Sequence, residues 1–133
     1  MIYVDTNVFV YAALNLKDIS GDCLRIMDKI ANNEIDVCTS VLTWDEFYYS
    51  VKKSLGADYA KSAGQRFLDL VNLEFLNANF DVVSLAQKLI ERYNLGPRNA
   101  IHAATAITNG CKEIVSDDSD FDKVKELKRI KIK

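Results

Sequence analysis

The sequence predicts an α/β domain in which a parallel sheet is covered by helices on both faces. Short apolar runs alternate along the chain with longer segments whose apolar residues recur at helical spacing. Strands separated by helices pair in parallel and bury both faces. The 133 residues are 49% hydrophobic and 27% charged, a composition that supports one globular domain with a substantial core. A single domain over residues 1–133 is expected, without linker, repeat or low-complexity stretch.

The apolar opening Met1-Ile2-Tyr3-Val4 closes on Asp5, so the first strand is read as Ile2–Asp5. Thr6–Leu16 and Ser20–Asn32 follow with helical periodicity, and Ile35–Thr39 reads as the second strand. Leu42–Leu55 and Tyr59–Leu76 are two helices with no strand between them, an αα-hairpin broken at Gly56. Ala60, Ala63, Phe67, Leu70 and Val71 form one face of the second. Asp81–Ser84 is the expected third strand, followed by a helix over Leu85–Tyr93. Gly96-Pro97 marks the start of the next helix, Arg98–Thr108, and Gly110 its end. Glu113–Ser116 is the fourth strand, Phe121–Leu127 a short helix and Ile130–Ile132 the fifth strand. In that last segment the isoleucines alternate inward and the lysines outward, as on a protected edge.

Composition excludes several functions. The longest uninterrupted apolar run, Val8 to Leu14, is far too short to span a bilayer. No basic stretch precedes an apolar segment at the N-terminus, so no signal peptide is expected and cytoplasm is the default. The three cysteines, Cys23, Cys38 and Cys111, are widely spaced, and His102 is the only histidine. That set cannot build a structural zinc site, and buried thiols are expected instead. It also excludes a two-histidine acid/base pair, so hydrolysis would fall to carboxylates or metals. Net charge is −2 and gives no sign of a nucleic-acid partner. Asp117, Asp118, Asp120 and Asp122 crowd one segment, however, and a basic tail follows.

Four polar positions stand out. In a parallel sheet, Asp5 and Asp118 share the carboxyl edge, where such sheets hold their ligands. Helices entered from that edge bring Glu46 and Asn99 to it. Each residue has a local alternative: Asp5 and Asp118 as helix caps, Glu46 as the acid of a capping box with Thr43, and Asn99 as a first-turn hydrogen-bonding residue. Converging carboxylates repel unless a cation is present, which points to a hard metal such as Mg²⁺ or Mn²⁺. An EF-hand reading of Asp118-x-Asp120-x-Asp122 fails, because position six is Lys123 and position twelve is Arg129. Trp44, Phe47, Tyr48 and Tyr49 beside Glu46 are read as core or dimer contacts in preference to a base-stacking platform. His102 shares a helix face with Asn99 and either orients the site or is a structural histidine.

These residues also carry a resemblance. Val4-Asp5-Thr6-Asn7, Glu46 early in a helix, Arg98-Asn99-Ala100-Ile101-His102-Ala103-Ala104-Thr105-Ala106 and Ile114-Val115-Ser116-Asp117-Asp118 together resemble a PIN domain. The chain is most similar to the small single-domain prokaryotic members, which include the VapC toxins. The resemblance implies a three-layer α/β/α fold with strand order 3-2-1-4-5. It also implies a metal-dependent endoribonuclease, the toxin of a toxin–antitoxin pair and a homodimer, with RNA and an antitoxin protein as partners and no membrane. Asp5, Glu46 and Asp118 match the family's acidic positions, and Asp120 matches an additional acid of some members. Thr6 and Ser116 match small hydroxylated positions near the site. Arg98 is a candidate RNA-phosphate contact. Asn99 departs from the pattern, standing where aspartate is usual. The expected catalytic set is Asp5, Glu46, Asn99 and Asp118, and the expected metal set is Asp5, Glu46, Asp118 and Asp120. The alternative is a PIN-like domain weakened in catalysis by Asn99, serving in RNA binding or protein interaction.

Overall fold

The computed structural model describes residues 1–15 and 18–132. The expected helix end at Leu16 and the final tail lysine, Lys133, lie outside the described residues. Strand β1 (Ile2–Val4) leads into helices α1 (Thr6–Leu14) and α2 (Ser20–Ala31), then β2 (Val37–Ser40). Helices α3 (Leu42–Leu55) and α4 (Ala57–Leu68) precede β3 (Leu73–Leu76). Helices α5 (Phe80–Tyr93) and α6 (Pro97–Thr108), strand β4 (Glu113–Val115), a 3-10 turn (Ser119–Lys123) and β5 (Lys128–Ile130) complete the order. The strands form one parallel sheet in the order β3-β2-β1-β4-β5. The α/β class and the 3-2-1-4-5 order are those expected.

Alternation along β1 divides the core. Tyr3 faces α5 and α6, packing with Cys38, Ala103, Ile114 and Phe121. Ile2 and Val4 face α1 to α4, with Val8, Phe47, Val51 and Phe67. The middle strand therefore sits between two helical layers, and its end at Asp5 opens between them. Phe67 anchors one layer: its ring lies 4.9 Å from Phe47, 5.0 Å from Phe9 and 5.3 Å from Phe75. Phe67→Ala is expected to lower unfolding stability by about 3–5 kcal/mol, through lost burial and the cavity left behind. Urea unfolding monitored by circular dichroism checks it.

Four expected elements are corrected. Residues 81–84 are not a strand but the first turn of α5. Asn79 caps that helix, its side chain accepting from the Val82 N–H at 3.1 Å, and the β-branched Val82-Val83 pair imitates a strand. The third strand lies earlier, at Leu73–Leu76, inside the expected second helix of the hairpin. That helix stops at Leu68, and Asn72 turns the chain at φ 63°, a left-handed position that asparagine tolerates. The last short helix is a 3-10 turn ending at Lys123, and β5 pairs at Lys128–Ile130 in place of Ile130–Ile132. The inward alternation still holds, since Ile130 and Ile132 both join the α1–α4 side of the core. The αα-hairpin turns at Gly56, whose φ of 91° favours glycine.

Candidate active site

The loops after β1 and β4 and the first turns of α3 and α6 meet over the carboxyl edge of the sheet. Asp5, Thr6, Glu46, Asn99 and Asp118 line one cavity there, of about 300 Å³. All four polar positions singled out in the sequence are thus brought together. Arg98 is exposed and lines an adjoining cavity with Glu46, Pro97 and Asn99. Asp120 does not line the acidic cavity. Its carboxylate pairs with Lys123 at 3.4 Å, while its N–H donates to Asp118 Oδ1 at 2.9 Å.

The local alternatives resolve differently at each position. Asp5 does cap α1, accepting from the Thr6 N–H at 2.8 Å. Asp118 caps the 3-10 turn through the Asp120 N–H. Both carboxylates nevertheless face the cavity, so capping fixes their orientation without removing them from it. The capping box of Thr43 and Glu46 does not form. Ser40 Oγ instead accepts from the Leu42 N–H at 3.0 Å, and Thr43 Oγ1 pairs with Thr39 Oγ1 at 2.6 Å. Glu46 is left to reach across to α1 and α6.

Hydrogen bonds hold each acid. Asp5 Oδ2 accepts from the Ser116 hydroxyl at 2.7 Å and from Asn7 Nδ2 at 3.3 Å. Ser116 Oγ in turn accepts from the Asp118 N–H at 2.9 Å, tying the β4 loop to Asp5. Glu46 Oε1 accepts from Thr6 Oγ1 at 2.8 Å and faces His102 Nε2 at 2.5 Å. Asn99 Nδ2 donates to Asp118 Oδ2 at 2.8 Å. The amide therefore sits against an acid where a second carboxylate would repel it.

Burial pushes the Asp5 carboxyl above its ordinary value of 3.8, opposed by His102 and by the Ser116 and Thr6 hydrogen bonds. Burial also opposes ionisation of Glu46, but the His102 hydrogen bond and charge, the Thr6 hydroxyl and Arg98 outweigh it and lower its pKa. For His102, burial acts downward and is overcome by the Glu46 hydrogen bond and the charges of Asp5 and Glu46, so its pKa is raised from 6.5. A folded state that holds the histidine proton more tightly gains stability at low pH and loses it as pH rises through the raised value. The raised Asp5 acts in the same sense, at lower pH. The expected outcome for metal-free protein is a melting temperature that declines as pH rises above 6.5, with a flatter profile in His102→Gln, measured by calorimetry.

Among the described residues, no three His, Cys, Asp or Glu side chains form a ready metal-ligand group. The oxygen-only donors fit a hard cation held by one or two carboxylates together with water and substrate oxygens. They do not fit a closed protein cage.

Some of the site was not anticipated. Ser50 and Tyr11 line the cavity one helical turn beyond Glu46 and Asn7, an i, i+4 relation that could have found them. The aromatic cluster divides: Phe47 is core, Trp44 packs on Tyr48 with ring centroids 5.4 Å apart, and Tyr49 is exposed. Cys23, Cys38 and Cys111 are free and buried, as expected.

Acids gathered where a parallel 3-2-1-4-5 sheet ends, between two helical layers, define an α/β domain with a carboxylate site at its switch point. A family model described as the PIN domain matches residues 2–127. The chain belongs to the PIN domain family. It is 24% identical over 149 aligned positions to ribonuclease VapC6 of Methanocaldococcus jannaschii, covering 95% of this chain and 97% of that protein. Its fold is similar to that of Mycobacterium tuberculosis VapC20, described as a sarcin-ricin loop cleaving toxin. That match has a TM-score of 0.79 at 17% identity, over 94% of this chain and 95% of the other. It is also similar to a chain of a toxin–antitoxin complex from Klebsiella pneumoniae, with a TM-score of 0.70 at 18% identity over 96% of each chain. Among the described residues, no helix is long and apolar enough to cross a membrane.

Proposed function

We propose that this chain is a metal-dependent endoribonuclease of the VapC type, the toxin of a toxin–antitoxin pair, acting as a single cytoplasmic domain. The observation that carries the reading is the convergence of Asp5, Glu46 and Asp118 on one cavity with Asn99, in a PIN domain chain that is similar to a named ribonuclease. Mg²⁺ or Mn²⁺ would be held by Asp5 with Glu46 and Asp118, with Asp120 in reserve on the adjoining turn. When bound, such an ion supplies Lewis acidity toward the phosphodiester and a nucleophile at neutral pH.

The chain's own residues do the rest. Ser116 and Thr6 fix the Asp5 carboxylate, and Thr6 also fixes Glu46. Asn99 holds Asp118 in place through its amide N–H and retains one acceptor oxygen. Arg98, exposed at the rim, contacts an RNA phosphate. Exposed Tyr49, Leu55 and Leu68 on the α3–α4 hairpin supply a surface for a second copy of the chain. An apolar groove of about 330 Å³ between α1, α2 and α4, lined by Leu24, Met27, Tyr59 and Phe67, receives an apolar segment of the antitoxin. The Klebsiella pneumoniae complex supports that partner class.

A second reading rests on Asn99, whose hydrogen bond to Asp118 occupies the position of a fourth acid. In that reading the domain binds RNA or protein and does not turn over. Purified protein assayed on single-stranded and structured RNAs, with Mg²⁺, Mn²⁺ or a chelator, separates the two. Cleavage that requires metal is expected. Binding of RNA without cleavage under either metal would favour the second reading.

A further inference from the structure

Glu46 owes its orientation to a chain of hydrogen bonds that runs from β2 through Tyr3 of β1 and His102 of α6. The Ser40 N–H donates to the Tyr3 hydroxyl oxygen at 3.1 Å, and that hydroxyl lies 2.6 Å from His102 Nδ1. A phenol has one proton to give. With its oxygen accepting from Ser40, Tyr3 donates that proton to Nδ1, which in the neutral imidazole leaves the ring proton on Nε2. Nε2–H then donates to Glu46 Oε1, 2.5 Å away, beside the Thr6 hydroxyl bond to the same oxygen. Tyr3 and His102 are 0% and 1% exposed, so no water competes for either ring nitrogen.

We infer that His102 is a positioning residue. With Tyr3 setting its tautomer, it holds the Glu46 carboxylate beside Asp5 in the orientation that receives a divalent cation. The inference rests on the ribonuclease reading above. His102 does not line the cavity itself, so it acts through Glu46. A histidine needed for packing alone would be satisfied by Tyr3 and a backbone carbonyl. Here its second nitrogen is committed to a partly exposed acid (20% exposed) that water could otherwise solvate. Without it, Oε1 keeps only the Thr6 hydroxyl among these donors, and the long Glu46 side chain gains rotamers pointing away from Asp5.

The test compares wild type with His102→Leu, His102→Gln, Tyr3→Phe and Asp5→Asn. Mn²⁺ binding to RNA-free protein is titrated by electron paramagnetic resonance, and kcat and KM for RNA are measured separately. Partners that orient ligating groups typically account for about 10–100-fold in metal affinity. His102→Leu is expected to lose that much in Mn²⁺ affinity and to fall in kcat, with KM for RNA unchanged. Tyr3→Phe is expected to move in the same direction by less. His102→Gln, whose amide N–H reaches toward Oε1, is expected to recover most of the loss.

Folded His102→Leu or Tyr3→Phe protein that binds Mn²⁺ as wild type does would overturn the inference. So would a folded His102→Gln as impaired as His102→Leu, because that pattern belongs to packing alone. If His102→Leu does not fold, Tyr3→Phe and His102→Gln decide. Wild type that neither binds Mn²⁺ nor cleaves RNA overturns the ribonuclease reading and the inference with it. Active wild type with indifferent Tyr3 and His102 variants overturns the inference alone.

Discussion

Asp5→Asn protein is expected to cleave RNA slower by on the order of 10²–10³ or more, while melting no lower than wild type. The first half follows from charge. Asp5 is the acid at the centre of the cavity, bonded to Ser116 from β4 and adjoining Thr6, which grips Glu46. An amide there keeps the shape and removes the anion that a cation needs. The second half follows from burial, which pushes the Asp5 carboxyl above 3.8 and marks its ionised form as costly in the metal-free fold. A neutral amide avoids that cost, and its oxygen can still accept from the Thr6 N–H. Cleavage at saturating Mn²⁺ and the melting temperature without metal are the two measurements. Activity that survives the change would move the site away from Asp5.

Asn99→Asp is expected to do the opposite in both respects. The Asn99 amide now donates to Asp118 Oδ2 at 2.8 Å. A carboxylate in its place sets two anions face to face, a repulsion of about 4 kcal/mol for unit charges ~4 Å apart at an effective dielectric of 20. Partial exposure of both residues reduces that figure. Metal-free Asn99→Asp should therefore melt below wild type, and Mn²⁺ should raise its melting temperature by more than it raises that of wild type. With a fourth acid to bind and orient, cleavage should increase by about 10-fold or more. Equal rates and equal metal-induced shifts would show that position 99 is remote from the chemistry.

Much of this site was legible because it is built at element ends. A strand that stops at Asp5 and a helix that starts at Pro97 announce themselves locally, and parallel topology then brings those ends to one edge. Glu46 was harder to judge. Its capping-box alternative was excluded only by Ser40 and Thr39, which engage the N-terminal turn of α3 from the preceding strand. The Tyr3–His102 bond joins residues 99 apart in sequence, and no periodicity in either segment signals it. The third strand was hidden for a different reason. Leu73 and Leu76 continue the helical spacing of Phe67 and Leu70, so the pattern runs unbroken through a real boundary. The marks of that boundary are polar, Asn72 at φ 63° and the Asn79 cap.

The central position of β1 has a consequence for a chain being made. Asp5 leaves the ribosome long before Ser116, whose hydroxyl orients it, and β4 must slot in beside β1 before that bond can form. Until then the nascent chain has an edge at β1 where its middle will be, and Asp5 stands alone without Asp118. On the ribonuclease reading, a domain assembled in this order cannot attack RNA until β4 has been made and paired. On the toxin reading proposed above, that delay leaves an interval in which an inhibitor can already be waiting.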